Sequence, residues 1–122
     1  MRGNKYHARK ALFQGRLYDS TAERDYAHEL DILMRAGEIF DLDTQPRIEL
    51  EPGVFYKPDF SFTEHGRRVY VDVKGVETER FSLICRIWRN WGPGPLRIVK
   101  RSARNRGFMV VREIMPRAVP AS

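Results

Sequence analysis

Cysteine is almost missing from this 122-residue chain. The single Cys85 excludes an internal disulfide framework and a cysteine-built zinc site, and it suits a reducing compartment. Histidine is scarce as well: His7, His28 and His65 are scattered and match no zinc-ligand spacing. No apolar run is long enough to cross a membrane. The first residues are polar and basic, without the apolar stretch of a secretory signal, so a cytoplasmic location is expected. Acids are absent from two long stretches, residues 1–18 and 80–112. A chain of this length forms one domain with a modest core.

What is present is positive charge, and it is segregated. The net charge is +6 and the pI is near 9.8. The first acid-free stretch carries Arg2, Lys5, Arg9, Lys10 and Arg16. The second carries Arg80, Arg86, Arg89, Arg97, Lys100, Arg101, Arg104, Arg106 and Arg112. The acids concentrate between Asp19 and Glu79. An arginine-rich composition explains the total but not the separation. A basic surround on an acidic centre suits a nucleic-acid enzyme, with cations drawing in phosphates and carboxylates holding a metal. The candidate DNA contacts are Lys5, Arg9, Lys10, Arg80, Arg86, Arg101, Arg104 and Arg106. Thr78, Arg80 and Arg86 open a helix, whose N-terminus attracts anions.

The pattern along the chain gives a basic arm over 1–16, one domain over 17–115 and a disordered tail over 116–122. A first helix runs from Ser20 to Ala36, with Ala22, Tyr26, Leu30, Leu33 and Met34 as its apolar stripe and Gly37 as its stop. Ile39 to Leu42 and Ile48 to Leu50 are strand candidates around Gln45-Pro46. A hairpin spans 54–74. Thr78 to Trp91 reads as a second helix with Phe81, Ile84, Cys85, Trp88 and Trp91 on its buried side. Gly92-Pro93-Gly94-Pro95 breaks the chain before strands at Leu96 to Lys100 and Phe108 to Ile114. This order predicts an α/β fold, a mixed central sheet flanked by helices.

The stretch from Tyr56 to Gly75 carries the chemistry. Phe60 and Phe62 alternate with Asp59, Ser61 and Thr63. Val69, Val71 and Val73 alternate with Arg68, Tyr70, Asp72 and Lys74. Period-two alternation predicts two half-buried strands, and His65-Gly66 supplies a two-residue turn. Paired residue numbers then sum to about 131 by that turn geometry, which puts Phe60 opposite Val71 and Phe62 opposite Val69. Asp59 falls opposite Asp72 on the other face, where like charges repel and a bound cation would remove the repulsion. Lys74 shares that face. A solvated hairpin surface explains any one of these residues alone, and explains all three in this register less well.

These residues resemble the PD-(D/E)xK nuclease superfamily, with Pro58-Asp59 as one half of the motif and Asp72-Val73-Lys74 as the other. The wider chain, from about Asn4 to Val99, resembles small phage-encoded endonuclease-like proteins. The segments that carry this are Asn4 to Lys10, Asp19 to Glu23, Arg35 to Ile39 and Gln45 to Leu50. More distantly it is similar to phage endonuclease I, which resolves Holliday junctions, and to TnsA-type transposon-end nucleases. The resemblance implies a restriction-endonuclease-like core and a Mg²⁺- or Mn²⁺-dependent DNA endonuclease, with branched DNA as a candidate substrate, acting as a homodimer in a bacterial host cell. Asp59, Asp72 and the Val73 carbonyl would hold the metal, and Lys74 would orient water or stabilise charge. The alternative is a nuclease-fold DNA-binding or recombination-complex subunit that does not cut by itself. Two residues stay open between roles. Glu23 is either the N3 half of a capping box reaching back to Ser20 or a metal-side carboxylate. Gln45 is a polar loop residue that the resemblance brings under suspicion.

Overall fold

The computed structural model describes residues 11–104 and 107–117, with Ala11 and Leu12 described by their backbone alone. Five strands form one mixed sheet in the order β3-β6-β7-β8-β9. They are β3 (Phe40–Thr44), β6 (Phe60–Glu64), β7 (Arg67–Val73), β8 (Leu96–Arg101) and β9 (Phe108–Ile114). Only β7 and β8 are parallel, because the chain between them crosses over through α2 (Glu79–Trp91). The other helix is α1 (Thr21–Arg35). Two small hairpins complete the described chain: β1 (Ala11–Phe13) with β2 (Arg16–Tyr18), and β4 (Ile48–Glu51) with β5 (Val54–Tyr56). The expected mixed sheet flanked by helices is what forms.

The β6–β7 register matches the expected one at every pair, from Glu64↔Arg67 to Phe60↔Val71. Its turn is two residues long, with His65 at φ 52° and Gly66 at φ 76°. Both values are positive, as the twist-matched hairpin turn requires. Phe60, Phe62, Val69 and Val71 pack with Val99 against Ala27 and Leu30 of α1. The opposite face is not solvated, contrary to the half-buried expectation. Tyr70, Leu96 and Ile98 lie under Phe81, Ile84, Cys85 and Trp88 of α2. Ser61 and Asp72, on that same face, are buried with them.

Four further expectations are corrected. Residues 11–18 are a hairpin and not part of an arm, closed at Gln14-Gly15 with both φ values positive. Val54–Tyr56 pairs with β4 and does not continue into the Phe60 strand; buried Pro58 separates them. Leu33 and Met34 are exposed, so only the first turns of α1 bury the stripe. Trp91 is 62% exposed, so α2 buries its face only as far as Trp88. Residues 1–10 of the arm and 118–122 of the tail lie outside the described residues.

Trp88 fixes the far end of α2. Its indole Nε1 donates to the Gly94 carbonyl at 2.8 Å. A Cβ on Gly94 would stand 2.7 Å from the Arg68 carbonyl oxygen, which is backbone and cannot swing away. Gly94→Ala is therefore expected to destabilise the protein by about 1–3 kcal/mol. Urea denaturation of the variant beside the wild type checks this, and an unchanged midpoint would show that the loop yields.

Candidate active site

The site forms where the β6–β7 ladder stops. Pro58 lacks an N–H and ends pairing on its side, so the last paired residues are Phe60 and Val71. Beyond them the two aspartates take over as acceptors. Asp59 Oδ2 accepts from the Val73 N–H at 2.8 Å, and Asp72 Oδ1 accepts from the Asp59 N–H at 3.3 Å. The facing carboxylates, expected only to repel, therefore have a structural use as well: each closes the strand opposite. Asp72 is 1% exposed, because β7 is a central strand covered by α2. Its Oδ2 is buried with no hydrogen-bond partner, an arrangement that costs free energy unless something else satisfies it.

Burial pushes both carboxyls up, to about 6 each, while the Lys74 ammonium pulls both down. The Val73 N–H also lowers Asp59, and Asp19 raises it. Lys74 leaves the end of β7, where its own N–H donates to the Val99 carbonyl at 2.9 Å. Its Nζ lies 4.1 Å from the centre of the Phe81 ring on α2. The cation is thereby held on the α2 side of the sheet, with Asp72.

Glu23 joins this group from α1. Ser20 caps the helix, its Oγ accepting from the Glu23 N–H at 3.1 Å. The expected return bond differs, since the Glu23 carboxylate takes its backbone N–H from Asp19 and not from Ser20. Burial is the largest cause that raises Glu23, followed by Asp59, Asp19 and Asp72, and together they lift it to about 8. Two more residues enter the cluster: Gln45, left open between loop and site, and Asp19, which the sequence did not place there. Gln45, at φ 51°, donates its backbone N–H to the Asp59 carbonyl at 3.0 Å and its side chain to Asp19 Oδ2 at 3.3 Å. Asp19 thus stands beside Glu23 and presses electrostatically on Asp59. The available signal was position: Asp19 immediately precedes the Ser20 cap.

A model of one protein family matches residues 3–91. The chain belongs to DUF1064, described as a protein of unknown function. No curated protein matches it. The DUF1064 match contains every residue of the acidic cluster, Lys74 and all of α2, and it stops before β8.

Cations surround the acidic cluster unevenly. Ala22, Val73, Lys74, Gly75, Lys100 and Arg101 line a cleft of about 320 Å³ beside the carboxylates. Arg101 is bonded to Asp25 of α1 at 2.6 Å. Lys100 approaches Glu77 at 3.8 Å, and Arg112 binds Glu77 at 2.7 Å. Arg97 bridges Glu64 and Glu113. Much of the charge segregated along the sequence is therefore paired in space. Arg80 and Arg86 are exposed on α2, and among the described residues they meet no carboxylate. Arg104 is exposed in the β8–β9 loop. Lys5, Arg9, Lys10 and Arg106 lie outside the described residues.

Among the described residues no three His, Cys, Asp or Glu side chains form a ready-made metal cage. The donor set nonetheless fits a hard cation: a buried carboxylate, Asp72, with an unpartnered oxygen lies across one strand end from the half-buried Asp59, and a third, Glu23, is raised by burial and by their charge. The same shifts set a pH dependence. Asp59, Asp72 and Glu23 have folded values above their ordinary ones, so the folded state binds protons more tightly than the unfolded state. Their contribution to stability is full below about pH 4 and is lost as pH rises through about 6 for the aspartates and about 8 for Glu23. In a chelator, the melting temperature of the protein should fall between pH 5 and pH 9, and Mg²⁺ should restore part of it at the upper end (pH values chosen to bracket about 6 to 8). A melting temperature that climbs over that range would overturn the assignment of these carboxylates.

Proposed function

We propose that this protein is a divalent-metal-dependent endodeoxyribonuclease on a PD-(D/E)xK-type core. The observation that carries this reading is the buried Asp72, whose Oδ2 lacks a partner, beside Asp59 and within the field of Lys74. A protein core seldom holds such a carboxylate at a strand end without a ligand or a reaction to serve. Asp59 and Asp72 would hold Mg²⁺ or Mn²⁺, with the Val73 carbonyl and Glu23 as further oxygen donors. Bound there, the metal would supply an activated water and offset charge on the phosphate.

The chain's own groups do the rest. Lys74, held over Phe81, presents a cation to charge that develops on the scissile phosphate. Glu23, raised to about 8, can hold or release a proton near neutral pH. Gln45 fixes the Asp59 backbone and the Asp19 side chain. The lysines of the cleft at Gly75 draw the DNA backbone toward the carboxylates. A dimer suits the cutting of two strands by one site per chain. Four-way or otherwise branched DNA is the substrate suggested by the similarity to junction resolvases, and the bacterial cytoplasm is the compartment. No helix among the described residues is long and apolar enough to cross a membrane.

A second reading has its own observation. Both aspartates already serve backbone N–H groups, so a nuclease-fold DNA-binding or recombination-complex subunit could keep them for structure alone. Pure protein incubated with linear, nicked, flapped and four-way DNA, with Mg²⁺ or with chelator, separates the two. Mg²⁺-dependent cleavage supports the enzyme; binding without cleavage of any substrate supports the subunit. Under either reading DNA affinity should fall steeply with salt. Each phosphate contact contributes about 0.9 to the slope of log affinity against log salt concentration. A flat dependence would remove the electrostatic account of binding.

A further inference from the structure

We infer that the groove between α2 and the β4–β5 hairpin holds an unpaired nucleic-acid strand. This deepens the proposed function by naming a feature of the substrate, and it rests on that reading only for what happens to the strand afterwards. Two clefts run along this face, of about 400 Å³ and about 560 Å³, and they share Arg80 and Leu83. A third, of about 270 Å³, lies between the hairpin turn and Trp91. One end of the groove is the first turn of α2, where Phe81 carries the Lys74 ammonium. The other is the last residue of that helix. A helix of this length spans on the order of 20 Å.

Two properties of the groove select its occupant. The first is free positive charge. Arg97, Arg101 and Arg112 are neutralised by the protein's own carboxylates. Arg80 and Arg86 are in no ion pair among the described residues, although Glu79 lines one of the same clefts. Arg47 stacks its guanidinium 3.7 Å from the centre of the Phe55 ring, which presets a cation at the hairpin edge. The second is an apolar, aromatic surface exposed to solvent: Trp91 at 62% and Leu83 at 49%, with Phe55 on the hairpin. A solvated helix face commonly carries arginines; it is their company with exposed aromatic and apolar side chains that points to a ligand. A duplex presents phosphates outward and keeps its base faces stacked, so it would use the arginines and leave the apolar groups in water. An unpaired strand offers both phosphates and base faces, which is the pairing that single-strand-binding grooves use. An acidic protein partner would meet the arginines but has no need of ring stacking.

Tryptophan fluorescence tests this directly, because Trp88 is fully buried and Trp91 is not. Full-length protein is titrated with a short oligothymidylate in chelator, so that cleavage plays no part. The expected result is quenching, absent in Trp91→Phe, with the same-length duplex quenching far less. Changing Arg80 and Arg86 together to Glu should weaken oligothymidylate binding by about tenfold or more. The same charge change at Arg16 and Arg67, which are exposed outside the groove, should weaken it much less. Three results would overturn the proposal: no quenching by the single strand, equal quenching by the duplex, or equal loss in the Arg16 and Arg67 control. Preferential binding of an acidic peptide such as polyglutamate would assign the groove to a protein partner instead. Strand binding here without Mg²⁺-dependent cleavage would sink the nuclease reading and leave this one standing; cleavage without groove binding would do the reverse.

Discussion

Asp72→Asn should abolish Mg²⁺-dependent DNA cleavage while making the metal-free protein more stable at pH 8. The expected loss of activity is on the order of 10²–10³-fold or more, the scale for removing one group that stabilises transition-state charge. The gain in stability follows from burial. Asp72 is lifted to about 6, so at pH 8 the fold carries a charge it disfavours, and a neutral amide relieves it. Asn keeps an oxygen to accept the Asp59 N–H, which Ala would strand at a cost of about 1–3 kcal/mol. Asp59→Asn should behave alike, since its oxygen can still receive the Val73 N–H. Cleavage assays beside thermal melts in chelator read both effects. A variant that cuts at the wild-type rate would remove its aspartate from the site, and one that is inactive because it is unfolded would make the aspartates structural.

The second large effect is at Glu23. Glu23→Gln should melt at or above the wild-type temperature and lose activity by about 10²-fold, the lower range for a proton-transfer group or charge stabiliser. The Ser20 cap uses the Glu23 backbone N–H, which the substitution leaves alone, and a Gln oxygen can keep the Asp19 N–H. What disappears is the charge that burial, Asp59, Asp19 and Asp72 all oppose. Glu23→Ala would not discriminate, because it removes the bond to Asp19 along with the charge. Full activity in Glu23→Gln would return Glu23 to the helix end and leave Asp59, Asp72 and Lys74 as the site.

The hairpin was legible because two strong local rules fix it. A period of two decides the faces, and a two-residue turn with positive φ decides the register. Phe60, Phe62, Val69 and Val71 therefore landed where expected. The fate of the opposite face was not legible, since the helix that buries Ser61 and Asp72 comes later in the chain and no local pattern announces its crossing. The amphipathic stripes gave the buried sides of α1 and α2 but not where the sheet beneath them ends, so Leu33, Met34 and Trp91 were wrongly placed inside. Gln14-Gly15 and Pro52-Gly53 are turn signals that an arm over 1–16 and a hairpin over 54–74 leave without a role; in the structure Gln14, Gly15 and Gly53 all have positive φ. At the site, Asp19 and Gln45 meet through a fold-back across 26 positions, which spacing along the sequence cannot reveal. Charge segregation misled in part for the same reason: Arg97, Arg101 and Arg112 find their carboxylates on distant strands and helices.

Nicking of supercoiled plasmid by the purified wild-type protein, beside Asp72→Asn prepared identically, tests the central claim most directly. The account predicts nicking in Mg²⁺ or Mn²⁺, none in chelator, and none above background for Asp72→Asn under any of these conditions. Equal nicking by both proteins, or none by the wild type on plasmid and branched DNA alike, would contradict it.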